Sequence, residues 1–236
     1  MTERVRPIGI IGAMDDEVRG LVARLENPKA ETVCGIEFHT GTIFSRPVVI
    51  ARCGVGKVFA AMCATSMIIK YNPALIVNTG VGGALSPTLA CADIVIADRL
   101  VQYDMDTSPI GDPVGLISGI NKIFFEADAE AVSVLSAAAK ELSIPFAVGM
   151  IATGDKFVAD DGARENILSI FPASVCCEME GGAIAHACFV GGVPFAVVRA
   201  ISDGANGDSP MDFPAFLKKA VKSSEALTLA MIENYR

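Results

Sequence analysis

The sequence predicts an α/β protein, a single-domain three-layer α/β/α sandwich around a central mixed β-sheet. Three observations predict it. Apolar runs of strand length recur along the chain, helical periodicities lie between them, and one stretch reads as a hairpin instead of a crossover. With 236 residues, 52% of them hydrophobic, there is material for a substantial core. No linker, low-complexity tract or repeat divides the chain, so residues 1–236 read as one domain.

The elements follow in order. "IGIIGA" (8 to 13) is an opening strand, and Val18, Leu21, Val22 and Leu25 then recur at helical spacing. "ETVCGIEFHTGTIFSRPVVIARC" is hairpin-like and ends in the strand "VVIARC" (48 to 53). "KVFAAMCATSMIIKY" is a helix, followed by the strands "ALIVNTG" (74 to 80) and "DIVIADRLVQY" (93 to 103). "AEAVSVLSAAAKEL" is the next helix, and "FAVGMIATG" (146 to 154), "SVCCEME" (174 to 180) and "FAVVRAISD" (195 to 203) are further strands. Residues 181 to 198 carry no charged side chain, but Gly-Gly pairs, His186 and Pro194 interrupt them. A helix, a turn and a buried strand suit that stretch better than a membrane span. A closing amphipathic helix runs from about Phe213 to Tyr235.

A net charge of -8 and a pI near 4.8 argue against a nucleic-acid or acidic-membrane partner and favour a small molecule. The seven cysteines (34, 53, 63, 91, 176, 177 and 188) form an odd set without metal-ligand spacing, which reads as reduced, mostly buried thiols. The apolar run in "MTERVRPIGI" is too short for a signal-peptide core, so the cytoplasm is the expected compartment.

In open α/β sheets ligands sit beyond the carboxyl ends of the strands, and that rule selects the polar residues of interest. Asp15, Asp16 and Glu17 occupy a first helical turn, where the helix dipole favours acids. That suffices for Asp15 and Asp16. Glu17 precedes Val18 and lies four residues before Leu21, a position from which it points at the strand ends as a desolvated base.

Glu178 and Glu180 stand two apart at a strand end, before a Gly-Gly pair that permits close backbone approach. A salt bridge to Arg199 or a helix cap is the plainer reading of Glu178, while a carboxylate in such a place also accepts bonds from a ribose diol. "VVRAISDGANGD" sets Ser202 and Asp203 at the end of a neighbouring strand, where Asp203 reads as a turn residue unless the strand opens into the same crevice. "GVGK" is an incomplete phosphate loop, because Val58 and not Ser or Thr follows Lys57. His39 and His186 lack partners at metal spacing and read as structural, so neither a metal nor a cofactor is expected.

Taken together, "GIIGAMDDEV", "GVGKVFAA", "VNTGVGGALSPTL", "YDMDTS", "TGDKFV", "FPASVCCEMEGGAIAHAC" and "VPFAVVRAISD" resemble the 5'-methylthioadenosine/S-adenosylhomocysteine nucleosidases, in motif order from about residue 7 to the last helix. The resemblance implies a nucleoside phosphorylase-like fold, a homodimer, and hydrolysis of the bond between adenine and a 5'-thio-substituted ribose, as in methionine salvage and adenosylhomocysteine breakdown, with the choice among methylthioadenosine, adenosylhomocysteine and 5'-deoxyadenosine left to the 5' pocket. It implies Glu17 as the base that takes a proton from water and Asp203 as the acid assisting adenine departure at N7. Glu180 would bind the ribose hydroxyls beside Met179, and Phe157 and Val158 would meet the purine by stacking and backbone hydrogen bonds. Arg199 and Ser202 would support the water and Asp203 respectively, Gly83 would line the site, and Met14 and Phe213 would wall the 5' side. Thr107 and Ile110 would reach the partner subunit's pocket. Where many relatives read "NTGSAGG", this chain reads "NTGVGGA", with Val81 at a position that commonly helps hold the water.

Three rivals share this inventory. A purine nucleoside phosphorylase would use phosphate as nucleophile, which the acids of the opening loop disfavour. A futalosine-type or adenosine nucleosidase would differ only in substrate. A nucleoside sensor would have kept the pocket and lost turnover.

Overall fold

The computed structural model describes residues 5–203 and 213–236, apart from the side chains of 203 and 213–220. Among the described residues, ten strands form one mixed sheet: β1 (Ile8–Gly12), β2 (Glu26–Val33), β3 (Ile36–Ile43), β4 (Arg46–Arg52), β5 (Leu75–Ala84), β6 (Ile94–Gln102), β7 (Phe124–Glu126), β8 (Phe146–Thr153), β9 (Ser174–Glu178) and β10 (Phe195–Asp203). The helices are α1 (Asp15–Val22), α2 (Lys57–Tyr71), α3 (Ala129–Glu141), α4 (Asp161–Ile170), α5 (Gly181–Gly191) and α6 (Phe213–Asn234), with a 3₁₀ turn at Ser108–Ile110.

Most predicted strands lie within a few residues of their observed bounds, and α2 spans the stretch its periodicity marked. The hairpin reading of residues 31 to 53 is an antiparallel β2–β3–β4 meander, while β1 pairs β4 and β5 in parallel. Two elements carried no clear pattern. β7 is only three residues long, and α4 has one narrow buried stripe, Arg164 and Ile167.

Both faces of the central strands are apolar, which is why they read as continuous hydrophobic runs. Ile8, Ile10, Leu75, Val77, Ile94, Ile96, Ala196 and Val198 face the layer of α1, α3 and α6. The alternating residues Ile11, Ile76, Val95, Ala97, Phe195 and Val197 face α2 and α5. Full burial of a side chain such as Leu21 of α1 contributes about 2 kcal/mol.

Helix boundaries have local causes. Asp128 and Asp160 cap α3 and α4, each accepting from a backbone N–H three residues on, at 2.8 Å. Asn72 ends α2 at φ 48° and Gly192 ends α5 at φ 65°, and a proline follows each within two residues.

Pattern alone did not reveal that part of the sheet closes on itself. β10 pairs both β5 (parallel) and β6 (antiparallel), β6 pairs β8, β8 pairs β9, and β9 returns to β5 through Gly83 and Ala84. The closure draws the ends of β5, β9 and β10 together. A register shift between Ile201 and Asp203 marks a β-bulge at the end of β10, of the kind that re-aims side chains beside functional sites. Among the described residues no helix is long and apolar enough to cross a membrane.

Candidate active site

The convergent strand ends surround a cavity of about 300 Å³. Ala13 and Met14 come from the end of β1, Glu17 from α1, Val81, Gly82 and Gly83 from β5, and Cys177 and Glu178 from β9. Met179 and Glu180 lead into α5, Ser202 ends β10, and Val55 and Lys156 to Val158 sit on the loops after β4 and β8.

Glu17 is 7% exposed. Its Oε2 accepts from the backbone N–H of Ala13 (2.7 Å) and Met14 (2.9 Å), and its Oε1 accepts from that of Val81 (3.2 Å). The bond to Met14 is half of a capping box, so the group that completes the start of α1 is also the one delivered to the cavity. A Cβ on Gly80 would lie 2.8 Å from Glu17 Oε1, so the glycine of "NTG" is what lets the carboxylate approach β5. Burial raises the Glu17 pKa, against the three N–H donors and the charge of Arg199. A buried carboxylate with a raised pKa is a stronger base than one in water. Asp15 and Asp16 are exposed and pair with Arg52 (3.3 Å) and Arg19 (3.0 Å), as their plainer reading had it.

Glu178 and Glu180 have different tasks. Glu178 accepts from Arg199 Nη2, Thr153 Oγ1 and the backbone N–H of Glu180 (3.0 Å) and Gly181 (2.7 Å), so it is both a salt bridge and a helix cap. Glu180 accepts from the Gly56 N–H at 2.8 Å and stands 4.0 Å from Arg199 Nη2, which leaves more of its oxygen surface toward the cavity. β9 stops at Glu178, and Glu180 is the residue immediately before α5. The two acids therefore do not continue one strand face, as their spacing had suggested.

Burial, and then the charge of Glu178, push the Glu180 pKa up to about 7, with Arg199 and the Gly56 N–H opposing. A folded-state value above the unfolded one means that the folded chain holds this proton more tightly. The stability so gained is complete below the ordinary value of 4.5 and is lost as pH rises toward about 7. Glu180→Gln has no such proton to lose. Its melting temperature, relative to that of the unsubstituted chain, is expected to climb between about pH 5 and pH 8; a difference that stays flat would refute the shift.

Arg199 is 1% exposed and lies beneath the cavity, not on its surface. Its guanidinium donates to Glu178, to Asn78 Oδ1 and to the Val198 carbonyl (2.9 Å), so its direct partners are protein groups and it acts on the site through Glu178 and its field. Phe157 lines the cavity yet is 76% exposed, while the adjacent Val158 is 8% exposed. Ser202 Oγ donates to the Gly82 carbonyl at 3.2 Å. Thr107, bonded to Asp112 at 2.9 Å, and Ile110, 82% exposed, are on the loop after β6 and do not line this cavity. The backbone of Asp203 ends β10 and that of Phe213 begins α6, but the side chains of both lie outside the described residues.

Sequence reasoning passed over Asn78 and Thr153, which orient Arg199 and Glu178, and Cys177, which lines the cavity; Val55, Gly82 and Lys156, which also line it, lie in strand-end segments the sequence marks (54 to 57, 80 to 83 and 154 to 157) but without a role of their own. A signal did exist for the first two. Asn and Thr inside "ALIVNTG" and "MIATG" are polar groups in otherwise apolar strands, and buried polar groups need partners. The histidines are structural: His39 pairs with Glu37 (3.1 Å), and His186 stacks on Phe125 at 5.3 Å.

The fold and this acid-lined cavity at the strand ends define the class. The chain belongs to the phosphorylase superfamily, whose sequence profile matches residues 7–233. It is 40% identical over 227 residues to the 5'-methylthioadenosine/S-adenosylhomocysteine nucleosidase of Shewanella halifaxensis, covering 96% of this chain and 98% of that protein. The Campylobacter jejuni nucleosidase superposes with a TM-score of 0.92 at 34% identity, over 97% of this chain and 99% of that one. The Streptococcus pneumoniae nucleosidase, solved with the transition-state inhibitor MT-ImmA, superposes at 0.90 with 36% identity, over 98% and 100%. Within the superfamily, the chain is a member of the 5'-methylthioadenosine/S-adenosylhomocysteine nucleosidase family. A futalosine hydrolase of Helicobacter pylori is also similar, with a TM-score of 0.90 and 33% identity over 97% of this chain and 98% of that one.

Proposed function

We propose that the protein hydrolyses the N-ribosidic bond of 5'-methylthioadenosine and S-adenosylhomocysteine, releasing adenine and the 5-thio-substituted ribose. The observation that carries this reading is Glu17, a buried carboxylate held by three backbone N–H groups on a cavity whose other acids, among the described residues, are Glu178 and Glu180. Breaking the bond to adenine leaves positive charge on the ribose, and carboxylates fixed in a low-dielectric cavity stabilise that charge.

In this reading Glu17 takes the proton of the attacking water, and Glu180 accepts the ribose hydroxyls beside Met179. The exposed ring of Phe157 is a stacking surface for a flat base, with Val158 offering its backbone and Gly83 and Val81 lining the floor. Asp203 protonates the leaving adenine at N7 with Ser202 as its support. Met14 and Phe213 wall the 5' substituent. With Val at position 81, the backbone N–H of that residue fixes Glu17, and the water depends on Glu17 itself for its orientation. The same reading makes the molecule a homodimer in which Thr107 and Ile110 complete the neighbouring subunit's pocket; a monomer by light scattering under assay conditions would remove that part. It also makes the protein cytoplasmic, a compartment in which the cysteines at 34, 53, 63, 91, 176, 177 and 188 stay reduced thiols.

Phosphate is the discriminating reagent. Lys156 is the single cationic side chain lining the cavity among the described residues, against three carboxylates, and a phosphate nucleophile would meet net repulsion there. Adenine release is expected to proceed at the same rate with phosphate removed and restored. A requirement for phosphate, with ribose 1-phosphate as product, would show a phosphorylase instead. The likeness to the futalosine hydrolase supports a second reading, so the assay includes futalosine and adenosine beside the two thioether nucleosides.

A further inference from the structure

Lys57, the lysine of the incomplete phosphate loop, meets a carboxylate. Its Nζ lies 2.6 Å from Asp104 Oδ1, in the loop after β6. The other oxygen of Asp104 accepts from the backbone N–H of Asp155 (2.9 Å), in the loop after β8. Asp155 Oδ1 in turn accepts from the backbone N–H of Lys57 (2.7 Å). The circuit closes on the residue where it began, and it joins the start of α2 to two loops that are distant in sequence.

Both ends of this circuit abut the cavity. Gly56, next to Lys57, donates its N–H to Glu180, and Val55 before it lines the cavity. Lys156, Phe157 and Val158, directly after Asp155, line it from the other side. Gly56 has φ 98°, and a Cβ there would lie 3.1 Å from Asp155 Oδ1, so a side chain would strain the backbone and crowd the clasp together. The side chains of Lys57 and Asp104 are 19% and 29% exposed. Such an ion pair adds little to global stability. It does fix the spacing of the segments it ties.

We propose that Lys57, Asp104 and Asp155 are positioning residues, a hydrogen-bonded clasp that sets the distance between Glu180 and the segment 156–158 and thereby governs substrate affinity. The proposal rests on the reading of Glu180 as the ribose ligand and of Phe157 and Val158 as the purine ligands. Contacts to ribose and base that are made alike in ground and transition states act on KM and leave kcat in place.

The test uses the full chain with Lys57→Met, Asp104→Ala and Lys57→Arg, measuring methylthioadenosine kinetics and amide hydrogen exchange. For the first two variants KM is expected to rise roughly tenfold, with kcat within about threefold and the melting temperature nearly unchanged. Exchange should quicken in residues 54–57 and 154–158 together. Lys57→Arg, which still reaches Asp104 with a cation, is expected to restore both readouts. Unchanged exchange in Asp104→Ala overturns the clasp whatever the enzyme turns over, as does a Lys57→Arg variant no better than Lys57→Met. If the unsubstituted chain releases no adenine while Asp104→Ala still loosens both segments, the clasp stands and the nucleosidase reading falls.

Discussion

Adenine release by Glu17→Gln is expected to fall at least roughly 100-fold, the loss typical of removing a positioned general base. The amide keeps the shape of the carboxylate but cannot take the proton of water. Its effect on folding is small and has a definite sign. Two donors meet Oε2 of Glu17 and one meets Oε1, so an amide that keeps its oxygen on Ala13 and Met14 turns its NH2 toward the Val81 N–H. One buried donor then faces another, at a cost of about 1 kcal/mol. Relief from burying an ionisable carboxyl offsets part of this, because burial already raises the Glu17 pKa. Single-turnover rates with methylthioadenosine and a urea melt check both halves, and turnover within a few-fold of the unsubstituted chain would remove Glu17 from its role.

The largest loss of stability is expected from Arg199→Met. Arg199 and Glu178 are each 1% exposed at the side chain and form a buried ion pair. Removing the cation leaves Glu178 in the interior with Thr153 and two backbone N–H groups as its remaining partners, and leaves Asn78 Oδ1 without its guanidinium. Breaking such a pair from one side costs about 3 to 5 kcal/mol, on the order of 10 °C in Tm for a chain of this size. The double variant Arg199→Met with Glu178→Gln should lose less than the two single changes added together, since the orphaned charge is gone. Strict additivity in chemical denaturation would mean that the pair is not coupled. Glu178 and Arg199 in this view form the foundation on which Glu180 and Glu17 are held.

Glu17 was legible because its place in the first turn of α1, ahead of Val18 and Leu21, put it at the end of β1. Glu178 was legible as a salt bridge and cap, since a carboxylate ending an apolar strand must find partners. What pattern missed was polar and backbone: Asn78, Thr153 and the Gly56 N–H reach their partners across strands remote in sequence. Arg199 was legible as a member of the site but not as a residue beneath it. α4 and β7 escaped because their buried faces are too small to leave a period.

Apart from β7 and α4, the order of strands and helices, the two apolar faces of the sheet and the chemistry of the strand ends were determined by the sequence alone, because burial of apolar surface imposes periods of 2 and 3.6 that are local. The tertiary structure decided the pairing of β10 with both β5 and β6, which closes the sheet and brings the ends of β1, β5, β9 and β10 around one cavity. It also divided the work of the acids, setting Glu178 on Arg199 and Glu180 toward the cavity, and turned the lysine of "GVGK" toward Asp104. Distances between groups a hundred residues apart depend on strand register and loop geometry, which no local period encodes.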